Sequence, residues 1–338
     1  MAPNARRAID MAASLAQLAR GGLPSRAVER LADEAGPHRR LFTSDLSVNE
    51  FLLTRDVACE PISQVMGSSI YHVGQIPDYK GATGEIAVIS AAHRESRRLA
   101  LSRLLQEAAL VGADAVVGAH LRDRMITMGN RGKGGDDGGE VLEFTVVGTA
   151  MRAPWITHPP GQPIVTDLSG QDLWALARDG YEPCGFFFEF CRYHVWHVTK
   201  GSYGAGSELS AASDAVEQAR AIAGNKLVQQ AIAAQAEFVV GSDVSFKVKE
   251  VPCGFADCQL DDLDVDVSWF CTGIRRIPGT HEAAQDVPPL MLSMMPVGRR
   301  HDEHIAQNED DASEVEEAAR EAEEAALEAE ENAPKGLG

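Results

Sequence analysis

Apolar and polar residues follow two different periods along this chain, and the switches between them mark out its elements. Ile9, Ala12, Ala13, Ala16 and Ala19 recur at helical spacing, as do Ala27, Val28, Leu31 and Ala35. Gly21, Gly22 and Pro24 split this stretch into two short helices, a small docking element. Ser47 followed by Glu50, and Ser169 followed by Asp172, are capping signals: the hydroxyl accepts from a free N–H of the first turn while the carboxylate reaches back to the cap. Each predicts a short helix running into Glu60-Pro61 or Glu182-Pro183, because proline disfavours helical geometry at the residue before it. Ile62 to Val73 and Gly185 to Val198 are rich in Val, Ile, Phe and Tyr and predict strands.

A long helix follows in each case. In the first, Leu101, Leu104, Leu105 and Ala108 form an apolar stripe, and Arg97, Arg103 and Glu107 lie away from it. In the second, the stripe is Gly224, Leu227, Val228 and Ala231. Strands are then expected at Ala115 to Leu121 and Phe238 to Val248, each continuing through a hairpin into Val141 to Met151 or Val265 to Ile274.

These elements come in two sets because the sequence does. With a shift of 122, Asp45-Leu46-Ser47 falls on Asp167-Leu168-Ser169, Glu60-Pro61 on Glu182-Pro183, and Tyr71-His72-Val73 on Tyr193-His194-Val195. Beyond the long helix the shift is 123: GADAVVG ending at Gly118 answers QAEFVVG ending at Gly241, and GTAMR ending at Arg152 answers CTGIR ending at Arg275. A repeat of this length is a duplicated domain rather than a short solenoid unit. The fold class is therefore α+β: two tandem copies of a small β-α-β-β domain, each an antiparallel sheet covered by one long helix. The boundaries are 1–41 for the helical segment, 42–153 and 164–277 for the copies, and 278–338 for a linker and acidic tail. One face of each three-stranded sheet has no cover within its copy, yet AVVGAHL, FTVVGTAM and EFVVGSDV are apolar on both sides. Such a face is buried either between the copies or between chains, which predicts a homo-oligomer.

The net charge of −19 over 338 residues is concentrated at the end: Asp302 to Gly338 holds 14 acidic and 2 basic residues. No basic footprint for nucleic acid exists. Ser313 to Glu331 is nearly all Ala and Glu, which favours helix, but like charges three and four apart oppose it. A partly helical, solvated tail is expected, able to recruit a basic protein partner or keep an assembly soluble. No run is long and apolar enough to cross a bilayer, and no secretory leader is legible, which predicts a cytoplasmic chain with reduced cysteines.

The helix RESRRLALSRLLQEAALVGADAVVGAHLR, the glycine-rich hairpin after it and the closing EFTVVGTAMR resemble the YbjQ-like family, whose label is heavy-metal binding. The resemblance covers Leu52 to Arg152, and extends to Ala175 to Arg276 through the internal repeat. It implies a small α/β subunit that assembles into rings, typically pentamers. Its motif consists of structural glycines and valines rather than chemical groups. The second copy departs from it: Cys271 stands in place of Gly148, Gln235 in place of Gly112, and the long helix keeps only Arg220 and Lys226 of its bases.

Candidate metal ligands gather in the second copy, which holds Cys184, Cys191, His194, His197, Cys253, Cys258 and Cys271. Thiolates with imidazoles suit a transition metal such as zinc or copper. Cys191 and His197 share a strand face but stand roughly 20 Å apart at about 3.3 Å per residue, too far to be co-ligands within one regular strand. Cys253 and Cys258, spaced C-x4-C in a loop, form the better pair. Tyr71-His72 and Tyr193-His194 are kept in both copies; packing or an interface is their favoured role, an anion or metal site the other. The metal candidates are thus Cys253, Cys258, His72 and His194. The glycine-rich tip NRGKGGDDGG lacks P-loop spacing and is expected to be an exposed mobile loop. His301 and His304 in HDEH are expected to belong to a solvated tail.

With no nucleophile–base pair, paired carboxylates or cofactor fingerprint, the sequence predicts a chain that is not an enzyme. It reads as an oligomeric binding or scaffold protein of two heavy-metal-binding-like domains. The alternative is a purely structural interaction scaffold that recruits a partner through its acidic tail or N-terminal helices.

Overall fold

The computed structural model describes residues 3–35, 44–74, 82–127, 140–198, 208–252 and 261–279. The hairpin tip NRGKGGDDGG, Cys253, Cys258, the HDEH cluster and the acidic tail lie outside these residues. The chain begins with α1 (Pro3–Ala19) and α2 (Ser25–Ala35), then α3 (Val48–Asp56), β1 (Glu60–Gly74), β2 (Gly84–Glu85), α4 (Ala87–Leu110), β3 (Ala115–Thr127) and β4 (Glu140–Arg152). It continues with β5 (Ile164–Val165), α5 (Gly170–Arg178), β6 (Tyr181–Val198), α6 (Ser210–Ala233), β7 (Phe238–Pro252) and β8 (Asp261–Arg276). The class is mixed α+β.

Local chemistry explains most of these elements. Both capping boxes form: Ser47 caps α3 with Glu50 reaching back, and Ser169 caps α5 with Asp172 reaching back. The strands start earlier than expected and include Pro61 and Pro183. Each proline sits beside a register shift, between Pro61 and Ser63 or between Pro183 and Gly185, where the ladder is interrupted and the missing N–H matters least. β3 and β7 each carry a further shift, at Val117/His120 and Val240/Asp243. Gly118 and Gly241 sit in these bulges with φ of 64° and 62°, a backbone region open to glycine.

Sheet composition departs from the expected three strands per copy. The first sheet runs β1-β4-β3-β5 and the second β2-β6-β8-β7. β2 leaves the first half to pair with His194 and Tyr193 of β6, while β5 leaves the second half to run parallel to β3. Each half thus adds a two-residue strand to the sheet of the other. Such segments are too short to carry a hydrophobic period, so the sequence could not announce them.

The helical stripe is partly as expected: Leu104 and Ala108 on α4 and Leu227 and Ala231 on α6 are buried, whereas Leu101 and Leu105 are half-buried and Val228 is exposed. α4 buries Ala92, Ser96, Ala100, Leu104 and Ala108, and α6 buries the matching Ala215, Ala219, Ala223, Leu227 and Ala231. This row spaced by four, small at every position but Leu104 and Leu227, lets each helix lie close to its sheet. The approach is tightest at Gly67, where an added Cβ would stand 1.9 Å from the carbonyl oxygen of Ala100. Leu101 and Leu105 flank the row half-buried, packed against the core to which Leu23 and Leu31 belong. The N-terminal helices dock here: Gln106 donates to the Gly21 carbonyl, and Arg30 pairs with Glu107 at 2.9 Å.

Candidate functional site

Arg97 and Glu107, expected to face away from the core, are buried. Arg97 points from α4 into the second sheet and is fully enclosed. Its guanidinium carbon lies 4.8 Å from the centre of Phe144, 4.9 Å from Phe270, 5.5 Å from Phe190 and 5.6 Å from Phe188. It donates to Ser268 Oγ at 2.6 Å and to the Glu189 carbonyl at 3.5 Å, while its Nε has no hydrogen-bond partner. Burial lowers its pKa to about 10 against the opposing pull of Asp123, Glu189 and Asp266, so it stays charged at neutral pH. A cation held by ring faces and few hydrogen bonds suits arginine, whose guanidinium is weakly hydrated and stacks on aromatics.

One turn earlier, His93 stacks flat on Phe190 with ring centres 3.6 Å apart and meets Phe144 edge-on. Neither of its nitrogens has a hydrogen-bond partner. Burial, reinforced by Arg97, Arg192, Lys249 and Lys247, holds its pKa well below the ordinary value, so the ring is neutral. Arg94 approaches Glu189 at 3.5 Å, and Gln230 of α6 donates to the same carboxylate at 2.7 Å. Burial raises the Glu189 pKa, opposed by Arg94 and Lys226.

Beside this cluster Arg192 forms a two-pronged pair with Asp266 at 2.6 and 2.7 Å, itself approached by Lys249 at 3.6 Å. His194 Nδ1 is hydrogen-bonded to Asp264 at 2.8 Å, and its Nε2 lies 3.5 Å from Asp262. The short strand β2 seals this end through Ile86 N–H to the Arg192 carbonyl and the Lys226–Glu85 pair. The whole arrangement is a charged and aromatic joint between α4 and the second sheet. Chemically it can lock two surfaces and respond to protons. The cysteines that carry a resolved shift, Cys59, Cys184, Cys191 and Cys271, are all pushed up by burial, Cys59 to about 11 and Cys191 and Cys271 to about 12, which leaves them as weak nucleophiles.

Of the metal candidates, His72 lies exposed on β1 of the first sheet and His194 lies buried on β6 of the second. The structure does not bring them together. Both ring nitrogens of His194 face carboxylates already. Among the described residues no three His, Cys, Asp or Glu side chains gather so as to hold a metal ion. A mainly apolar groove of about 400 Å³ runs between α6 and β7, lined by Arg220, Gly224, Leu227, Val228, Val239 and Trp269.

Apart from His194, which the sequence singles out with packing or an interface as its favoured role, the residues that form the joint were missed by sequence reasoning. One signal was present: Phe186-Phe187-Phe188-Glu189-Phe190 is apolar on both faces of a strand, so β6 needs cover on both.

Comparison with known proteins places this fold. Residues 65–153 match the YbjQ family model, described as "Putative heavy-metal-binding". The chain is also 34% identical over 228 residues to the Encapsulin nanocompartment protein Rv1762c of Mycobacterium tuberculosis, a match covering 65% of this chain and 84% of that protein. The chain belongs to the YbjQ family. The family match holds β1 from Val65, α4, β3 and β4, and so includes His93 and Arg97 but not their partners in the second sheet. No solved structure matches the chain. No helix of the described residues is long and apolar enough to cross a membrane.

Proposed function

We infer that this chain is a non-enzymatic, self-assembling scaffold and a component of an encapsulin nanocompartment. It is built from two tandem YbjQ-like domains, 42–153 and 164–277, flanked by the helical segment 1–41 and the acidic tail 278–338. The likeness to the mycobacterial nanocompartment protein carries this reading, because 228 matched residues are too many for either domain alone. A match of that length supports a tandem arrangement in both proteins. Two further observations support a scaffold. The buried charges of the joint are spent on one another and on aromatic rings, and the cysteine thiols shifted by burial are held protonated.

The test is co-expression of the full chain with an encapsulin shell protein, followed by isolation of particles and protease challenge. The chain should travel with the particles and be protected until the shell is opened. A chain that elutes free of intact shells would overturn the compartment reading. Zinc and copper content, measured on the same particles, decides whether the family's metal label extends to this chain.

A further inference from the structure

We propose that the groove between α6 and β7 is a docking site for an amphipathic helix of another protein, seated as α2 is seated on the first half of this chain. The proposal goes beyond the compartment reading and does not depend on it.

The internal repeat supplies the precedent. With the shift of 123, the groove residues Gly224, Leu227, Val228, Val239, Ser242 and Trp269 answer to Leu101, Leu104, Leu105, Val116, Ala119 and Val146. All six of these first-half residues belong to, or pack against, the one apolar core that also takes in Leu23, Ala27 and Leu31. The N-terminal segment thus completes the surface between α4 and β3. Its cover shows along the helix. Leu105, Gln106 and Ala109 of α4 are half-buried, whereas Val228, Gln229 and Ile232 at the same places on α6 are exposed, Val228 at 55% and Ile232 at 70%. No helix precedes the second half as α1 and α2 precede the first: between β4 and α5 the chain supplies only β5. The groove is the same seat without its occupant.

What α2 offers its own seat defines the chemistry of that occupant. Leu23, Ala27 and Leu31, spaced by four, are turned to the core, while Arg26, Glu29 and Asp33 are exposed. This is the pattern of a helix laid into an apolar groove. One polar contact anchors its start, where Gln106 donates to the Gly21 carbonyl. Gln229 keeps that amide in the second half, exposed and in position to donate to the backbone of an incoming turn. The Arg30–Glu107 pair has no counterpart, because Gln230 stands in place of Glu107 and donates to Glu189 and to the Phe188 carbonyl. At the rim, Glu217 and Arg220 approach each other at 3.6 Å and leave little net charge. Recognition therefore runs through an apolar stripe rather than through charge. The floor is an indole: Gly224 leaves room for Trp269, whose ring would stand 2.8 Å from a Cβ added there.

Stoichiometry argues for a different protein. Each chain has two such surfaces and, among the described residues, one such segment. Exchange of the N-terminal helices between copies would still leave one groove per chain unfilled.

The test uses the full chain, with a fluorescein-labelled peptide of residues 22–35 as the probe, since its stripe is the one the first half already holds. Fluorescence anisotropy should show saturable binding. The same peptide with Leu31→Asp, and the full chain with Val228→Asp or Ile232→Asp, should each weaken it by about tenfold or more. Leu52→Asp, an exposed apolar residue of α3 away from the groove, should leave it unchanged. All three protein positions are exposed, and circular dichroism checks that the variants fold. Absence of saturable binding, or binding that survives both Val228→Asp and Ile232→Asp, would overturn the proposal. So would a fall in the mass of the peptide-free chain on Val228→Asp, measured by light scattering, because the groove would then hold a second copy. None of these outcomes bears on the compartment reading, which co-isolation with shells decides.

Discussion

α4 and α6 are 24 residues each, cross their sheets through the same row of mostly small side chains and end at matching turns, one with Gly112 and the other with Gln235, both in the left-handed region. Yet α4 buries ten residues and α6 only five. The five in common are the row spaced by four that faces each helix's own sheet. The extra ones on α4 are Ile89, Ser90, His93 and Arg97 towards the second sheet, and Glu107 towards Met66 N–H and Arg30. Packing of helix on sheet is thus a property of each half, while the cation and the histidine are buried only because a second sheet lies across from them. The same contrast appears at the aspartates that stand two residues before the caps of α3 and α5. Asp167 is largely enclosed and accepts from Thr272, whereas Asp45 at the open end is half exposed and reaches His120 at 3.3 Å.

The comparison can be broken most forcefully at Arg97. Arg97→Ala leaves the aromatic cage unfilled and should cost about 4 kcal/mol in urea unfolding. Arg220→Ala at the matching exposed position should change stability by less than about 0.5 kcal/mol. Equal effects would mean that the joint contributes nothing beyond an ordinary surface.

Gly67→Ala forces a methyl group into the backbone of α4 at Ala100 and should destabilise by about 3 kcal/mol. The matching position in the second half is Glu189, which already carries a side chain held by Gln230. Glu189→Ala therefore creates no clash, and its cost is the loss of the Arg94 and Gln230 contacts, about 2 kcal/mol.

Asp167 sharpens the comparison through pH. Burial raises its pKa from 3.8 to about 6. The folded state then holds a proton that the unfolded state has released, so this contribution is fully present below pH 3.8 and is lost as pH rises through about 6. Asp167→Asn should remove that slope and raise stability at pH 7, with a ceiling of roughly 3 kcal/mol reduced by partial solvent access. Thermal unfolding from pH 4 to 7 measures it.

The smallest expected effect is at His93, and it has the opposite sign. Its pKa is depressed in the folded chain, so its contribution is present above the ordinary value of 6.5 and is lost as pH falls below it. His93→Phe keeps a flat ring against Phe190 and should flatten the profile between pH 6.5 and 5. An unchanged profile would show that protons enter the joint elsewhere.

How much of this was legible before folding depends on the range of the interaction. The helix caps at Ser47 and Ser169, the split at Gly21 and Pro24, and the strands through GADAVVG and EFTVVG follow from contacts within a few residues, and sequence reasoning places them correctly. The helical stripe was placed correctly at Leu104 and Ala108 but not at Leu101 and Leu105, which are more apolar than the alanines and Ser96 that touch the sheet, and hydrophobicity alone cannot see that close approach selects small side chains. The two-residue strands exchanged between halves, and the fate of Arg97, His93 and Glu107, were not legible. Their partners lie far away in sequence, up to 171 residues for Arg97 and Ser268.

By itself, then, the sequence determined most of the helices and strands, their caps and turns, and the presence of more apolar strand surface than one sheet face can hide. Those are consequences of backbone hydrogen bonding and of side-chain period, which act locally. Only the tertiary structure decided which half covers which, and hence where charge is buried and where apolar surface is left open. A buried cation is tolerable only inside a particular set of ring faces and acceptors, and that set exists only once both halves have met.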